Sequence, residues 1–477
     1  MGLSFAQEPI GDTTLLPVIT NWNPIVPYAL HQNSSIAAFF YYKMVLEVRL
    51  NSSSGDLLAK IKQRRNGNPS DIASNLATAI FDIRDVANTQ LKDTIMDQND
   101  TTKSIHTLGA NVILKPFSQN NSQIVTIYVK GYQNYSDAEN TSPVDQTTGY
   151  QEDTKKYMAA SLQLQDPRGT ADFQATEFSP YQIDSVTSRM LSDLQSDTIK
   201  EYGVTGIRRS YVRSTDYHTI AFLNGIDNFK SESFKVLIQY YDSSNGTIGS
   251  AHSLTNNLAS GGAEPSASGE VVKETHMLIY FGVGPKNLEQ QNLTATARPS
   301  NNSGWAYYKV SLALADGTQK SAPYYFVNQD ESCKGFAVRR LGWRNSLGCY
   351  DYFNFKQKST QTLDVTRNNY ETMIGEFSSD MYSYTNSDRG KNTKNTSAVL
   401  KETINTDWIS EADAVLLEGL LMSTNVSIIE TTGTNSSRYT VPVMVTDSSF
   451  VKKTVANDKL IQYTINIEYA NPINTNS

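Results

Sequence analysis

The clearest pattern in the chain is a set of short stretches in which apolar and polar residues alternate with a period of two. In residues 40–50, every second position from Phe40 onward is apolar or aromatic, and Lys43, Glu47 and Arg49 lie between them. Side chains of a β-strand point alternately to opposite faces, so this stretch predicts a half-buried strand. The polar turn that follows and the apolar positions of residues 57–61 predict a second strand beside it.

The same alternation predicts strands along the rest of the chain. They cover residues 123–132, 234–240, 277–283, 305–314, 336–343, 350–356, 426–430, 439–446 and 460–469. Asn245-Gly246 supplies the positive-φ pair of a tight hairpin, and Arg344-Asn345-Ser346-Leu347-Gly348 predicts another. The strict alternation from Ile461 to Tyr469 requires one buried face, in this subunit or in a neighbour.

Three stretches have helical character. Residues 71–91 are compatible with a helix, and residues 183–202 carry apolar side chains at helical spacing, which we interpret as core packing. The clearest helix begins after Ser410, because Asp413 follows three residues later in a capping-box arrangement.

These elements predict a mainly β fold made of several antiparallel β-sandwich domains of the immunoglobulin or fibronectin type, with a few helices. A chain of 477 residues suggests two to four domains. We predict an N-terminal β domain with one helix (1–132), a loop and helical insertion (133–205), a β-sandwich domain (206–327) and a C-terminal β domain with one helix (328–477).

Composition and charge narrow the class of protein. The 27 Tyr and 17 Phe suit half-buried strands. A formal net charge of −7 argues against direct nucleic-acid binding, which needs clustered Lys and Arg. The densest basic stretch, Lys60-Ile61-Lys62-Gln63-Arg64-Arg65, is interpreted as a solvated loop rather than a phosphate site.

The sequence gives no sign of membrane insertion or of secretion. No apolar run approaches the ~20 residues that a membrane span needs, and the first residues lack the basic and apolar regions of a signal peptide. We therefore expect the protein to be made and kept in a cytoplasm. In that reducing compartment Cys333 and Cys349 are interpreted as free thiols.

The search for catalytic, cofactor or metal sites predicts none of them. No histidine has metal-binding spacing, and each is interpreted as an ordinary surface or core residue. Gly282-Val283-Gly284-Pro285 lacks the third glycine of a dinucleotide loop and a following helix, so it is interpreted as a strand-ending turn. Asp97 and Asp100 lie in polar loops, and sequence alone cannot show whether acids converge across a cleft. The histidines are His31, His106, His218, His252 and His276.

Two aromatic clusters are candidates for a sugar-binding platform. They are Phe39-Phe40-Tyr41-Tyr42 and Tyr324-Tyr325-Phe326. Consecutive aromatic residues on one strand usually alternate between core and surface, and this interpretation is favoured over a ligand site.

Several sequence blocks, in their order and spacing, resemble a widespread and mostly uncharacterised family of virion proteins of tailed phages, including crAss-like phages. The resemblance covers most of the chain and is strongest from Phe326 onward. It departs from the family at Gly348-Cys349, where Gly-Gly is expected, and the stretch 133–205 has no counterpart. The blocks are Asn23-Pro24-Ile25-Val26, Phe81-Asp82-Ile83, Gly282-Val283-Gly284-Pro285-Lys286-Asn287, Tyr325-Phe326, Leu341-Gly342-Trp343-Arg344-Asn345-Ser346-Leu347-Gly348, Tyr350-Asp351-Tyr352-Phe353-Asn354-Phe355, Trp408-Ile409-Ser410-Glu411, Val441-Pro442-Val443 and Ile467-Glu468-Tyr469-Ala470.

The resemblance implies a non-enzymatic structural role in the tail or head–tail region, as an oligomeric ring or collar. It implies copies of the same chain and other virion proteins as partners, and a final location in the virion after synthesis in the bacterial host cytoplasm. Two alternatives remain open from the residues. One is a receptor- or glycan-binding module of a phage tail, and the other is a polysaccharide-degrading tail enzyme.

Overall fold

The computed structural model describes most of the chain and divides it into two compact units. Unit 1 comprises Met1–Asp330, Arg344–Asp351 and Thr431–Arg438, and unit 2 comprises Glu331–Trp343, Tyr352–Glu430 and Tyr439–Ser477. The four-part division predicted above stays a prediction. The described residues are 2–9, 18–23, 28–65, 74–92, 95–96, 104–106, 108, 114–117, 123–163, 179–224, 234–256, 278–290, 295–314, 316–329, 335–430, 440–447 and 461–471.

The described residues form mainly β-strands, with three α-helices among them. The strands, in chain order, are β1 (Leu3–Gln7), β2 (Val18–Asn23), β3 (Tyr28–Gln32), β4 (Phe40–Leu50), β5 (Leu57–Gln63), β6 (Ala77–Phe81), β7 (Leu114–Phe117), β8 (Ile124–Ser136), β9 (Val144–Gln163), β10 (Gln182–Ile183), β11 (Ser196–Ile199), β12 (Val204–Val212), β13 (Thr219–Asn224), β14 (Phe234–Tyr241), β15 (Thr247–Asn256), β16 (Leu278–Gly282), β17 (Tyr307–Leu314), β18 (Tyr324–Asn328), β19 (Arg339–Arg344), β20 (Tyr350–Phe355), β21 (Thr360–Glu371), β22 (Glu376–Ser378), β23 (Met381–Ser383), β24 (Lys391–Asn405), β25 (Val426–Ile429), β26 (Thr440–Val445) and β27 (Thr464–Tyr469). The helices are α1 (Arg84–Gln90), α2 (Pro285–Glu289) and α3 (Glu411–Met422).

Two layers of unit 1 form a β-sandwich near the N-terminus. A five-stranded sheet, ordered β2-β9-β8-β4-β5, faces a three-stranded sheet, ordered β1-β3-β6. Their inward side chains share one apolar core, in which Leu30 of one sheet lies opposite Gly131 of the other. A buried hydrogen bond of 2.9 Å from Gln133 to Gln32 also links the layers. The sandwich thus follows from the alternation predicted in residues 40–50.

A second pair of sheets completes unit 1. A six-stranded sheet, ordered β11-β12-β18-β17-β14-β15, and a four-stranded sheet, ordered β10-β13-β16-β7, both contribute buried side chains. The ring of His218, beside β13, meets Phe326 of β18 edge-on at 5.0 Å, and the hydroxyl of Tyr308 donates to the carbonyl of Val283. Most strand pairs are antiparallel, and β2–β9, β10–β13 and β12–β18 are parallel.

A seven-stranded sheet, ordered β20-β19-β25-β26-β27-β24-β21, dominates unit 2. Helix α3 begins after Ser410, whose side chain accepts a hydrogen bond from the backbone N–H of Asp413 while Asp413 bonds back to Ser410. The capping box predicted from sequence is therefore confirmed. In β27, the alternating residues Ile465 and Ile467 are buried within this chain. The apolar face of this strand is therefore covered by the same subunit.

Most predicted strands are confirmed, including the pair in residues 40–61 and the hairpin at Asn245, whose φ is 64°. The mainly β fold class, with several antiparallel sheets and a few helices, is also confirmed.

The prediction of loop and helix for residues 133–205 is wrong in two places. The polar composition of residues 134–151 predicts a long loop, but most of them lie on β8 and β9, which pair with each other. The predicted helix at 183–202 does not form, because its backbone bonds to distant strands: the N–H of Leu191 donates to Ala221, and the carbonyl of Met190 accepts from Tyr324. Ile183, Met190, Leu191, Leu194 and Ile199 are buried, whereas Val186 is 58% exposed.

The helix predicted over 71–91 is confirmed only at its C-terminal end. Residues 71–73 lie outside the described residues, and Ala77–Phe81 forms β6, which pairs with β3. Helix α1 covers only Arg84–Gln90. Residues 77–81 form a strand because β3 supplies their hydrogen-bond partners. The sequence pattern of residues 77–81 does not reveal a partner that lies elsewhere in the chain. Residues 260–269, whose small, polar and glycine-rich composition predicts a flexible loop, lie outside the described residues.

Replacing Gly348 with Ala tests the predicted turn between β19 and β20. Gly348 has a φ of 81°, and an added Cβ would lie 2.0 Å from the carbonyl oxygen of Ala159. We expect Gly348→Ala to lower the free energy of unfolding by about 2–4 kcal/mol. The strained backbone conformation and the clash with the backbone of Ala159 both destabilise the folded state. Urea denaturation measures the change.

Gly317→Ala is the matched control. Gly317 has a φ of 92°, but an added Cβ meets no atom within 4 Å. Only the strain of the left-handed backbone remains, at roughly 1–2 kcal/mol. Equal losses for the two variants would contradict the close approach at Gly348.

Candidate functional site

Unit 2 contains a long and largely exposed hairpin, which we name the arm (residues 360–405). Strands β21 and β24 pair along their whole length, from Thr360 opposite Thr403 to Glu371 opposite Lys391. The next strand, β27, pairs with β24 only over Lys401–Asn405. From Leu400 back to Lys391, β24 pairs with β21 alone among the described strands. This part of the arm is therefore a two-stranded ribbon, roughly 30 Å long. Every residue of β21 is exposed.

The end of the arm, residues 371–388, is named the arm tip and is itself an ordered hairpin. Strands β22 and β23 pair through a tight turn at Ser379, whose φ is 54°. Gly375 has a φ of 89°, and the hydroxyl of Thr372 donates to the carbonyl of Arg389. These contacts fix the shape of a segment that makes almost no core.

The arm tip exposes large apolar side chains. Four of them each leave 70–76% of their surface accessible, and Ile374 and Tyr382 are also exposed. Met and aromatic residues are enriched where proteins bind each other, and soluble monomers rarely gather them on a projecting element. The four are Met373, Phe377, Met381 and Tyr384. The arm tip therefore has the composition of an interface.

A buried carboxylate holds the base of the arm. Glu402 of β24 is 1% exposed and accepts hydrogen bonds from Arg339 at 2.7 Å, Tyr469 at 2.8 Å and Gln361 at 3.1 Å. Burial of this carboxyl opposes ionisation, but the three donors outweigh burial and lower the pKa of Glu402 below its usual value. The four residues come from β19, β21, β24 and β27, so one anion joins the arm to the sheet.

The arm itself had no counterpart among the sequence predictions. Its signal was present, because β-branched and apolar residues alternate with polar ones in Thr362-Leu363-Asp364-Val365. Gly375 lies within the arm tip, and Gly390 follows it. Such a pattern on a hairpin predicts a strand, but it does not show that both faces are exposed.

A groove beside β4 contains the first predicted aromatic cluster. It has a volume of about 540 Å³ and is lined by Tyr41, Tyr42, Lys43, Arg64 and residues 139–143; we name it the tyrosine groove. Phe39 and Tyr42 are half-buried, but Phe40 and Tyr41 are both exposed. The simple alternation expected for this cluster is interrupted at a bulge in the β4–β8 pairing.

The backbone and side chains of the tyrosine groove are unusual. Tyr41 has a φ of 57°, a strained value for a bulky residue, and its hydroxyl donates to the carbonyl of Glu139 at 2.7 Å. Tyr42 stacks on Phe39 and Tyr135, and burial, together with Tyr135, raises its pKa. Its buried hydroxyl has no hydrogen-bond partner within the described part of the chain.

The cations of the tyrosine groove are available to a ligand. Among the described residues, neither Lys43 nor Arg64 has a carboxylate within ion-pair distance, whereas Lys60 and Lys62 both pair with Asp145. Lys60–Gln63 lies on strand β5, and Arg64 and Arg65 follow it, so the prediction of a loop for this basic stretch is wrong. The one acid that lines the groove is Glu139.

The second aromatic cluster lies on β18. Tyr324 and Phe326 are buried and Tyr325 is half-buried, which confirms the alternation between core and surface. The ring of half-buried Tyr325 lies 6.0 Å from that of buried Tyr307, and Tyr307 stacks on half-buried Tyr241 at 4.8 Å.

Two acidic residues meet inside unit 1, in a cluster that sequence reasoning missed. Asp351 is buried and accepts hydrogen bonds from Ser192, from the backbone of Asp193 and from Asn345. Asp193 accepts from the backbone and hydroxyl of Ser346. Burial and the neighbouring charge of Asp193 raise the pKa of Asp351 to about 7. The protein's own donors occupy these oxygens, so the cluster fixes the turn 344–351 onto residues 191–193.

The histidines lie in ordinary surroundings where they are described. His31 hydrogen-bonds Thr78 and His252 hydrogen-bonds Asn302, while the rings of His106 and His218 pack against Tyr217 and Phe326. In the part of the chain that the structure covers, no group of three or more His, Cys, Asp or Glu could hold a metal. His276, Asp97, Asp100 and Cys333 lie outside the described residues, and Cys349 is a buried free thiol whose pKa burial raises to about 12.

The prediction that no helix follows Gly282-Val283-Gly284-Pro285 is wrong, since α2 begins at Pro285. That helix has five residues, and the glycines serve close packing instead of ligand binding. A Cβ on Gly284 would lie 2.3 Å from the backbone nitrogen of His218. The buried side chain of Asn287 accepts from that nitrogen and donates to the carbonyls of Ile105 and Leu108.

Comparisons with known proteins add little to this geometry. No protein-family model and no curated protein matches the chain. Among solved structures, a marsupial T cell receptor is similar with a TM-score of 0.15 and 9% identity, over 84% of this chain and 96% of the receptor chain. A likeness this distant carries no argument. Within the described residues, no helix has the length and apolar character of a membrane span.

Glu402→Gln tests the anchor of the arm. We expect the variant to lower the free energy of unfolding by about 1–3 kcal/mol at neutral pH, because it leaves Arg339 without its counter-charge. The stabilisation from a lowered carboxyl pKa is complete above the ordinary Glu pKa of about 4.3 and is lost as the pH falls through the lowered value. Urea denaturation from pH 7 to pH 3 measures both effects, and the two proteins should converge in acid.

Asp364→Asn is the control for that experiment. Asp364 pairs with Lys401 at 2.8 Å, but both side chains are about half exposed. Exposed pairs contribute about 0–1 kcal/mol, so this variant should unfold nearly as the wild type does. A Glu402→Gln protein as stable as Asp364→Asn at pH 7 would show that the buried carboxylate is no anchor.

Asp351→Asn tests the buried acid cluster. Because the pKa of Asp351 is raised, the protonated form is favoured in the folded state, and the stability from this group falls as the pH rises from about 4 to about 7. The variant is expected to lack this part of the pH dependence. Thermal unfolding at several pH values in this window compares the slopes, and parallel curves for variant and wild type would contradict the raised pKa.

Proposed function

We propose that this protein is a structural subunit of a tailed-phage virion that assembles with copies of itself, as a ring or collar in the tail or head–tail region. The exposed arm is the observation that carries the proposal. The sequence blocks that resemble phage virion proteins, and the β-rich architecture, support the same role. Other virion proteins are the further partners, and no catalytic role is proposed.

The physics of the arm explains why it needs a partner. A two-stranded ribbon is marginally stable in water, and its outward backbone groups are open to pairing. Leu363 lies opposite Leu400, and Val365 opposite Ala398, so the ribbon also carries an apolar strip. A partner that covers the arm tip removes apolar surface from water at roughly 25 cal/mol per Å². Projecting arms of this kind join neighbouring subunits without a large flat interface.

A receptor- or glycan-binding module of a phage tail is the second candidate. The tyrosine groove favours it, because exposed Tyr41, the unpaired cations and a volume of about 540 Å³ suit a small acidic saccharide. Binding on an array of acidic glycans that Tyr41→Ala abolishes would support this function. An array with no binding, together with ring formation, would favour the structural subunit.

Negative-stain electron microscopy with light scattering is the direct test of assembly. Wild-type protein is expected to form closed rings or stacked discs. The triple variant Met373→Ser, Phe377→Ser, Met381→Ser is expected to stay monomeric at the same concentration, with a thermal midpoint within about 2 °C of wild type, because these side chains are exposed.

Met444→Ser is the matched control for the triple variant. Met444 is 53% exposed on β26, outside the arm, so its replacement changes exposed apolar surface without touching the arm tip. It should assemble as the wild type does. Rings formed equally by the triple variant would show that the arm tip is not the assembly element.

A further inference from the structure

The charge of the arm tip is one-sided. Between Arg367 and Arg389 the chain has four acidic residues and no Lys or Arg. Along the chain, these acids are interspersed with the exposed Met, Phe and Tyr residues of a short hairpin. The four acids are Glu371, Glu376, Asp380 and Asp388. A surface that binds the arm tip must therefore combine apolar contact with positive charge.

The tyrosine groove has this combination. Lys43 and Arg64 line it without ion-pair partners among the described residues, and Arg65 follows Arg64. Phe40 and Tyr41 are exposed beside it, and Val144, next to Pro143 of its lining, is 59% exposed. Glu139 offsets one of the positive charges, and the groove keeps an excess of cations.

Two details of the tyrosine groove are typical of a binding site. The hydroxyl of Tyr42, a residue that lines the groove, lacks a partner in the described structure, and an unsatisfied buried phenol costs free energy. The left-handed backbone at Tyr41 is stored strain of the type found at binding sites.

We propose that the arm tip of one copy seats in the tyrosine groove of a second copy, with the acids of the tip beside Lys43 and Arg64 and its apolar side chains against the exposed aromatic rings. This inference rests on the proposed function and names the acceptor surface. Because donor and acceptor are different surfaces of the same chain, the contact is heterologous. Repeated head-to-tail, it closes a ring where the rotation permits and otherwise extends a filament.

Reciprocal charge reversal tests the contact on the full chain. One variant carries Lys43→Glu and Arg64→Glu, and the other carries Glu376→Lys and Asp380→Lys. Each alone is expected to weaken self-association at least tenfold, measured by analytical ultracentrifugation. A mixture of the two should recover association to within about threefold of wild type, because each reversed groove then meets a reversed tip on another copy. Recovery on mixing also shows that the contact joins different copies.

Asp56→Lys with Asp85→Lys is the control for net charge. Both residues are exposed and lie outside the arm and the tyrosine groove, and this pair changes the net charge as much as the tip variant does. It should associate as the wild type does. All variants are compared at equal thermal stability, which excludes loss of fold.

The outcomes separate this inference from the proposed function. If the groove variant assembles like wild type while the triple arm variant does not, the arm acts on another surface and this inference fails alone. If the groove variant loses only the binding of an oligomeric hexuronic acid, the groove is a saccharide site and the inference also fails. A wild-type chain that stays monomeric at every concentration contradicts both proposals.

Discussion

A β-ribbon with only two strands leaves one row of backbone donors and acceptors unpaired on each side. In this chain the arm has such unpaired backbone groups, because β27 pairs with β24 only over Lys401–Asn405 among the described residues. The rest of unit 2 compensates at the base, where Glu402 gathers donors from three other strands. The arm is therefore fixed to the sheet at its base, and its other end is exposed.

The anchor and the arm tip use charge in different ways. Glu402 is buried, so its charge is stabilised by fixed hydrogen bonds and is little affected by salt. The acids of the arm tip are exposed, so in the proposed assembly they steer and select a partner more than they add affinity. Assembly through the arm tip should thus depend on ionic strength, while the integrity of the arm base should not.

Unit 1 is built on more conventional packing. Two pairs of sheets enclose apolar cores, and buried polar contacts such as Gln133 with Gln32 and Asn287 with three backbone groups fix how the layers meet. The Asp351 cluster belongs to the same category, since each acid is satisfied by neighbouring donors. The tyrosine groove differs, because it combines a strained residue with a hydroxyl and two cations that have no partner in the part of the chain that the structure describes.

The sequence by itself determined the strands with strong alternation, the hairpin turns and the capped helix, because each depends on residues close together in the chain. Residues 77–81 and 183–202 were mispredicted because distant strands supplied their hydrogen-bond partners. The tertiary structure alone decided that the arm is exposed on both faces and that Glu402 joins four strands. It also decided that Tyr41, Arg64 and residues 139–143 share a groove, because the pairing of β4 with β5 and β8 brings remote segments together and leaves no trace in local pattern.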